Sequence, residues 1–171
     1  MSHVFLIGFM GAGKTTVSKQ VALQLDRPWV DLDAEIEATA RKSVREIFED
    51  AGEEAFRELE SAQLAALSGA DPSIVACGGG IVVRDENRAM LKNLGLVIYL
   101  RVSPGETLAR VGADGTRPLL SGPGGVLAAT RLLEARESLY TAVADVTIDT
   151  VGRDIDDVIA DAVASIKERR A

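Results

Sequence analysis

The chain has 171 residues, 47% hydrophobic and 26% charged, with a formal net charge of −7, enough for one domain with a substantial core. The negative balance argues against nonspecific binding to nucleic acid or to an anionic membrane. No apolar run reaches bilayer-crossing length and no basic region precedes an apolar stretch near Met1, so a cytoplasmic protein is expected.

The first element is the most informative. Val4-Phe5-Leu6-Ile7 reads as a buried strand, and it runs into Gly8-Phe9-Met10-Gly11-Ala12-Gly13-Lys14-Thr15-Thr16. The spacing G-x-x-x-x-G-K-[ST] between a strand and a helix is that of a phosphate-cradling loop. Chance produces it about 4 times in 100,000 per starting position at average residue usage. Glycines let successive backbone N–H groups face one concavity, where a side chain would meet the phosphate. A helix beginning near Lys14 adds its positive dipole end. Lys14 can reach the outer phosphates, and the Thr15 hydroxyl can ligate Mg²⁺.

Val17, Val21, Ala22 and Leu25 repeat at helical spacing, predicting a helix over 14–25 that ends before Asp26-Arg27-Pro28. Trp29-Val30-Asp31-Leu32-Asp33 reads as a short strand ending in two aspartates. At the carboxyl end of a parallel strand these would lie beside the phosphate loop, and on extended backbone Asp31 and Asp33 would share a face. Residues 34–69 carry a helical pattern. Ser43-Val44-Arg45-Glu46 is a capping box, Ile47 and Phe48 are expected to face inward, and Gly52 should break or bend the run. Ala55, Phe56, Leu59, Ala62, Ala66 and Leu67 would form the apolar side of the second part, with Arg57 and Glu60 near one another on a different side. Between Asp31 and Glu60 stand eleven acidic and four basic residues, so this region carries the whole negative excess. An anionic substrate would need specific arginines to overcome that field.

Ser73-Ile74-Val75-Ala76-Cys77 reads as a buried strand running into Gly78-Gly79-Gly80, a turn that suggests backbone closely approached by a ligand. Cys77 is the only cysteine, which excludes an internal disulfide and a cysteine-based metal site. With His3 as the sole histidine it lacks an evident partner base, and it reads as a small buried residue. A helix is predicted over 85–94 and a central strand over 96–102, followed by a helix capped by Ser103-Pro104-Gly105-Glu106. The stretch around 112–125 is rich in glycine and proline and too long for an ordinary connection, which makes it a candidate lid with Arg110 at its base and Arg117 inside it. Residues 127–140 read as a helix bearing Arg131 and Arg136, and 146–149 as the last strand. Thr150-Val151-Gly152-Arg153 then leads into a final amphipathic helix. Five apolar strands alternating with helices predict a doubly wound, five-stranded parallel α/β sheet.

Taken together, Gly8 to Thr16, Asp31-Leu32-Asp33, Phe48 with Phe56-Arg57, Gly78-Gly79-Gly80, Arg117-Pro118-Leu119-Leu120, and Arg136 with Leu139-Tyr140 resemble the shikimate kinases over essentially the whole chain. These are small P-loop enzymes of the nucleoside-monophosphate-kinase type. The resemblance implies ATP-dependent phosphorylation of the shikimate 3-hydroxyl, within aromatic amino acid biosynthesis. It implies one kinase domain over 1–171, with a core of about 1–32, 61–109 and 125–171, a substrate-binding helical region of about 33–60, and a lid of about 110–124.

It further implies that Asp33 contacts the reacting hydroxyl as base or orienter, and that Arg57 and Arg136 hold the shikimate carboxylate while the Gly79 and Gly80 backbone presses on the ring. Lys14 and Arg117 would neutralise the transferring phosphoryl group, with ATP bound by Gly11, Ala12, Gly13, Lys14, Thr15 and Thr16. Arg110 and Arg153 would lie near adenine. Thr15 would ligate Mg²⁺ directly and Asp31 through a water. Cys77 departs from the family pattern, where a small or hydroxyl residue is more usual, and the lid is glycine-heavy. Another small-molecule kinase of this architecture, for gluconate or a nucleoside monophosphate, fits the arginines and the triple glycine less well. A non-catalytic relative would be expected to have lost Lys14, Asp33 or Arg117. The acidic surface leans toward a monomer.

Overall fold

The computed structural model describes residues 2–111 and 125–169, without the side chains at 108–111 and 125–126. Five strands, β1 (His3–Ile7), β2 (Trp29–Asp31), β3 (Ile74–Ala76), β4 (Gly95–Arg101) and β5 (Val146–Asp149), form one sheet in the order β2-β3-β1-β4-β5. Every pairing is parallel. The helices are α1 (Lys14–Gln24), α2 (Leu32–Ala40), α3 (Val44–Ala66), α4 (Asp85–Leu94), α5 (Pro104–Val111), α6 (Gly125–Val143) and α7 (Ile155–Glu168). This is the doubly wound arrangement expected from the alternation of apolar runs and helical periods.

Parallel strands are covered on both faces, which is why β1 and β4 are near-continuous apolar runs. All five residues of β1 are buried, and Val97 to Leu100 of β4 are inaccessible to solvent. His3 is drawn into this core. The Ser73 backbone N–H donates to its Nδ1 at 3.1 Å, so the Nε2 hydrogen is left for the Leu67 carbonyl at 3.0 Å. Cys77 is buried, as expected of a small packing residue, and burial pushes its thiol well up from the ordinary value. The chain crosses β1 to build the two halves of the sheet on either side of it. The loops after β1, β2 and β3 therefore open together at the carboxyl edge, where ligands bind in such sheets.

Three local expectations are corrected. β2 stops at Asp31, and Asp33 lies in the first turn of α2, so the two aspartates do not share an extended face. The cause is the Asp31 side chain, which accepts from the Asp33 and Ala34 backbone N–H groups and starts the helix as its N-cap. In α3 the buried row after the kink is Phe56, Glu60, Leu64 and Leu67, whereas Ala62 and Ala66 are exposed. Arg57 and Glu60 are inside because they neutralise one another. Phe48 is 37% exposed and lies against Phe56 with ring centroids 4.8 Å apart. The Ser43–Glu46 capping box is present, and the kink falls at Gly52 with φ 82° and ψ 177°.

Candidate active site

The loop after β1 is shaped by glycine. Gly8, Gly11 and Gly13 have φ of 145°, 77° and 86°, conformations costly for any residue with a Cβ. A Cβ on Gly8 would overlap the Leu100 carbonyl oxygen. Gly13 is the N-cap of α1, whose first turn carries no acidic side chain and no side-chain cap. The leading N–H groups at Lys14, Thr15 and Thr16 thus form the dipole end of the helix with no acidic side chain of its own first turn competing, which suits a phosphate. Ala12 is buried beneath the loop. Lys14 Nζ donates to the Phe9 carbonyl at 3.0 Å, which folds the ammonium back over the loop.

Asp31 serves two neighbours with its two oxygens. Oδ1 accepts from the Asp33 and Ala34 backbone at 3.1 and 3.3 Å, and Oδ2 accepts from Thr15 Oγ1 at 3.2 Å. The pair expected from the resemblance to share a cation is therefore together. Among the described residues, no group of three His, Cys, Asp or Glu converges as a metal site. A hard cation here would take few protein oxygens and complete its shell with phosphate and water, the habit of Mg²⁺.

The Gly78-Gly79-Gly80 turn follows β3, and side chains from α2, α3 and α6 converge on it. None of the three glycines has φ in the left-handed range, so the need for glycine is steric. A Cβ on Gly78 would stand 2.7 Å from Asp33 Oδ1 and 2.9 Å from Glu60 Oε1, and one on Gly80 would overlap the Arg57 guanidinium. The side chains crowding positions 78 and 80 are thus the protein's own. Gly79 differs, its nearest neighbour to such a Cβ being the Gly8 carbonyl oxygen at 3.5 Å, which ties the turn to the phosphate loop. The Gly79 carbonyl accepts from the Tyr140 hydroxyl and from Arg136 Nη1 at 3.4 Å.

Arg57 is held on both sides. Nη1 donates to Glu60 Oε2 at 2.6 Å, Nη2 and Nε reach Glu53 Oε1 at 3.1 and 3.3 Å, and the guanidinium lies 5.3 Å from the centroid of the Phe56 ring. Burial works to lower the Arg57 pKa, but Glu60 and Glu53 outweigh it and hold the group more firmly charged than usual. Burial pushes the Glu60 carboxyl up against the pull of Arg57, and Asp33 adds to the rise. Glu60 is fully buried, and its Oε1 has no hydrogen-bond partner among the described residues. Sequence periodicity placed Glu60 beside Arg57, yet nothing in it marked Glu60 as part of the site. An ionisable residue three positions from a candidate binding arginine was the available signal.

On the far side of the sheet edge, Arg153 follows β5 and is turned by Asp161 at 2.8 Å and by the Asp149 carbonyl at 3.3 Å. The Gly152 N–H donates to Glu106 Oε1 at 2.8 Å, which joins this loop to α5. Arg117 and the side chain of Arg110 lie outside the described residues, as does most of the stretch expected to be a lid. The structure thus brings Lys14, Thr15, Asp31, Asp33, Arg57, Gly79, Gly80 and Arg136 to one edge of the sheet. Arg153 stands apart, beyond β4.

A sequence model of the shikimate kinase family matches residues 10–167. The chain belongs to this family. It is 42% identical to a shikimate kinase of Geobacter sulfurreducens over 168 residues, covering 98% of this chain and 92% of that protein. The solved shikimate kinase of Acinetobacter baumannii in complex with shikimate is 35% identical, with a TM-score of 0.92 over 99% of this chain and 94% of that one. A gluconokinase from Sinorhizobium meliloti, 15% identical over 98% of this chain and 92% of its own, has a TM-score of 0.61 and shares the fold alone. The architecture inferred from alternating strands and helices is that of this P-loop kinase group.

Proposed function

We propose that the chain is an ATP-dependent shikimate kinase that transfers the γ-phosphoryl group to the shikimate 3-hydroxyl, giving shikimate 3-phosphate and ADP. The observation that carries this reading is the convergence of Arg57 from α3, Arg136 from α6 and Asp33 from α2 on the Gly78–Gly80 turn, next to the phosphate loop. Two cations and a carboxylate around a largely buried backbone turn suit a small acceptor that carries both a carboxylate and hydroxyls. The acidic residues of 31–60 would repel such an anion unless these arginines were held in place, and Glu60 and Glu53 hold one of them.

Phosphoryl transfer passes through a loose transition state, so catalysis consists mostly of positioning and charge neutralisation. The α1 N-terminus and the loop from Gly11 to Thr16 cradle the donor phosphates, and Lys14 swings from the Phe9 carbonyl to the phosphoryl oxygens. Thr15 Oγ1 and Asp31 Oδ2 are the oxygens that would hold Mg²⁺, directly and through a water, and the ion supplies charge neutralisation on the phosphates when bound. Asp33 orients the acceptor hydroxyl and can receive its proton. Arg57 and Arg136 take the acceptor carboxylate. Gly79 and Gly80 present backbone to the ring. Arg117, as a further cation on the transferring group, and Arg110 and Arg153, near adenine, are assigned on family resemblance. In this reading 33–60 is the acceptor-binding region of one cytoplasmic, monomeric kinase domain, and 110–124 its lid.

An ADP-release assay with shikimate, gluconate and several nucleoside monophosphates tests the proposal. Turnover with shikimate alone is expected. Turnover with gluconate in its place refutes the acceptor assignment, and no turnover with any acceptor refutes the enzyme assignment. Asp33→Asn is expected to lose most turnover and keep ATP binding. A collapse of ATP affinity along with activity would remove Asp33 from the acceptor side.

A further inference from the structure

Tyr140 is fully buried in α6, and its hydroxyl donates to the Gly79 carbonyl. Arg136, one turn earlier, reaches the same carbonyl at 3.4 Å, so the two side chains share one acceptor. The phenol and the acceptor-side cation on α6 therefore meet at one carbonyl of the acceptor-side backbone after β3. The ring is itself fixed. It stacks on Tyr99 of β4 with centroids 5.0 Å apart and planes 17° from parallel, and the Tyr99 hydroxyl is held by Glu137. Burial raises the Tyr140 phenol to about 12, so it remains a proton donor throughout the neutral range.

A trans peptide is planar, with its C=O and the next N–H pointing in opposite directions. A hydrogen bond on the Gly79 carbonyl thus also sets where the Gly80 N–H points. Glycine backbone is otherwise the most easily rotated in the chain, and the steric walls of this turn act at Gly78 and Gly80. Tyr140 supplies the constraint at the peptide between Gly79 and Gly80.

We propose that Tyr140 is a positioning residue of the acceptor subsite, whose hydroxyl locks the Gly79–Gly80 peptide and the Arg136 guanidinium in one fixed relation. The inference rests on the acceptor reading above. Its role is in recognition, so loss of the hydroxyl acts on acceptor binding and leaves the donor side alone.

Tyr140→Phe keeps the stacked ring and removes the hydroxyl. Tyr99→Phe is the matched control, since it removes the other buried hydroxyl of the stack, which touches no acceptor-side group. Shikimate affinity by calorimetry, both KM values, kcat and Tm are measured for the three proteins. Tyr140→Phe is expected to weaken shikimate binding and raise its KM about tenfold, the worth of one hydrogen bond expressed as a binding ratio, with the ATP KM unchanged. Tyr99→Phe is expected to lower Tm and leave both KM values in place. Shikimate affinity within twofold of the wild type in Tyr140→Phe overturns the proposal, as does an equal loss in both variants. Failure of the wild type to bind shikimate refutes the acceptor reading instead. Because the chain holds only two tyrosines, fluorotyrosine incorporated into Tyr99→Phe reports on position 140 alone, should Tyr140→Phe not fold. Its fluorine resonance is expected to shift when shikimate is added and to hold its position with ATP alone, and a resonance that does not respond to shikimate overturns the proposal.

Discussion

Replacing Asp31 by Asn and by Ala separates the two tasks of one carboxylate. Oδ1 caps α2 through the Asp33 and Ala34 N–H groups, and Oδ2 meets Thr15 Oγ1. Asn retains an oxygen for the cap and turns an amide toward Thr15, whose hydroxyl can rotate to accept from it. It loses the negative charge at the helix N-terminus, worth about 0.3–1 kcal/mol. Ala loses that charge and also the cap, a further cost of about 1 kcal/mol. The Ala variant should therefore melt about 2–4 °C below the Asn variant, at the usual Tm response of a chain this long. Both should raise the Mg²⁺ concentration giving half-maximal rate by about tenfold or more, as for other groups that act on a metal through a water. The shikimate KM should rise only in Ala, because fraying of the first turn of α2 releases Asp33. Differential scanning calorimetry and ADP release titrated with Mg²⁺ at fixed ATP supply the three readouts. Equal melting of the two variants would refute the cap, and an unchanged Mg²⁺ requirement would refute the metal assignment.

Glu60→Gln leaves Arg57 buried with Glu53 as its remaining carboxylate, and should cost about 3 kcal/mol, the low end for breaking a buried pair. That corresponds to about 6–12 °C in Tm by calorimetry, with a raised shikimate KM. Gly80→Ala introduces a Cβ where the Arg57 guanidinium lies. A guanidinium can swing aside, so kinetics should show loss of acceptor affinity while thermal melting shows a nearly intact fold. The Asp149 carboxyl is held below the usual carboxylate range by the Val151 N–H and by Arg101. A lowered folded-state value stabilises above the ordinary range and is lost as pH falls through the folded value. The Tm gap between wild type and Asp149→Asn should therefore be widest at neutral pH and close in acid.

Elements were legible in the sequence where the fold depends on apolar burial alone. The runs ending in Ile7 and spanning 146–149 became strands, and 85–94 became α4 with the expected bounds. The site was legible where chemistry restricts residue type, as in the loop from Gly8 to Thr16. It was obscured where a polar group does structural work. Asp31-Leu32-Asp33 alternates like a strand, and only the cap at Asp31 shows that Asp33 belongs to a helix. The inner side of α3 was misplaced onto Ala62 and Ala66 because hydrophobic periodicity counts Arg57 and Glu60 as solvent-facing, although a mutually neutralised pair can be buried. Tyr140 was visible as part of a motif, but its hydrogen bond to a residue 61 positions away has no local signal.

Helices α2 and α3 have a small core of their own. Ile36, Ile47 and Phe56, with Ala40, Val44 and Leu59 against them, form a cluster separate from the one that holds the sheet together. Substitutions within it reshape how α2 and the first part of α3 sit, and changes at well-separated sites act nearly additively. The phosphate loop, anchored between β1 and α1, packs in the other cluster and meets α2 through Thr15 and Asp31. Such a chain can explore new acceptors by drift in a few aliphatic residues while its way of holding a nucleotide stays the same, one physical route by which a single scaffold comes to serve many small-molecule kinases.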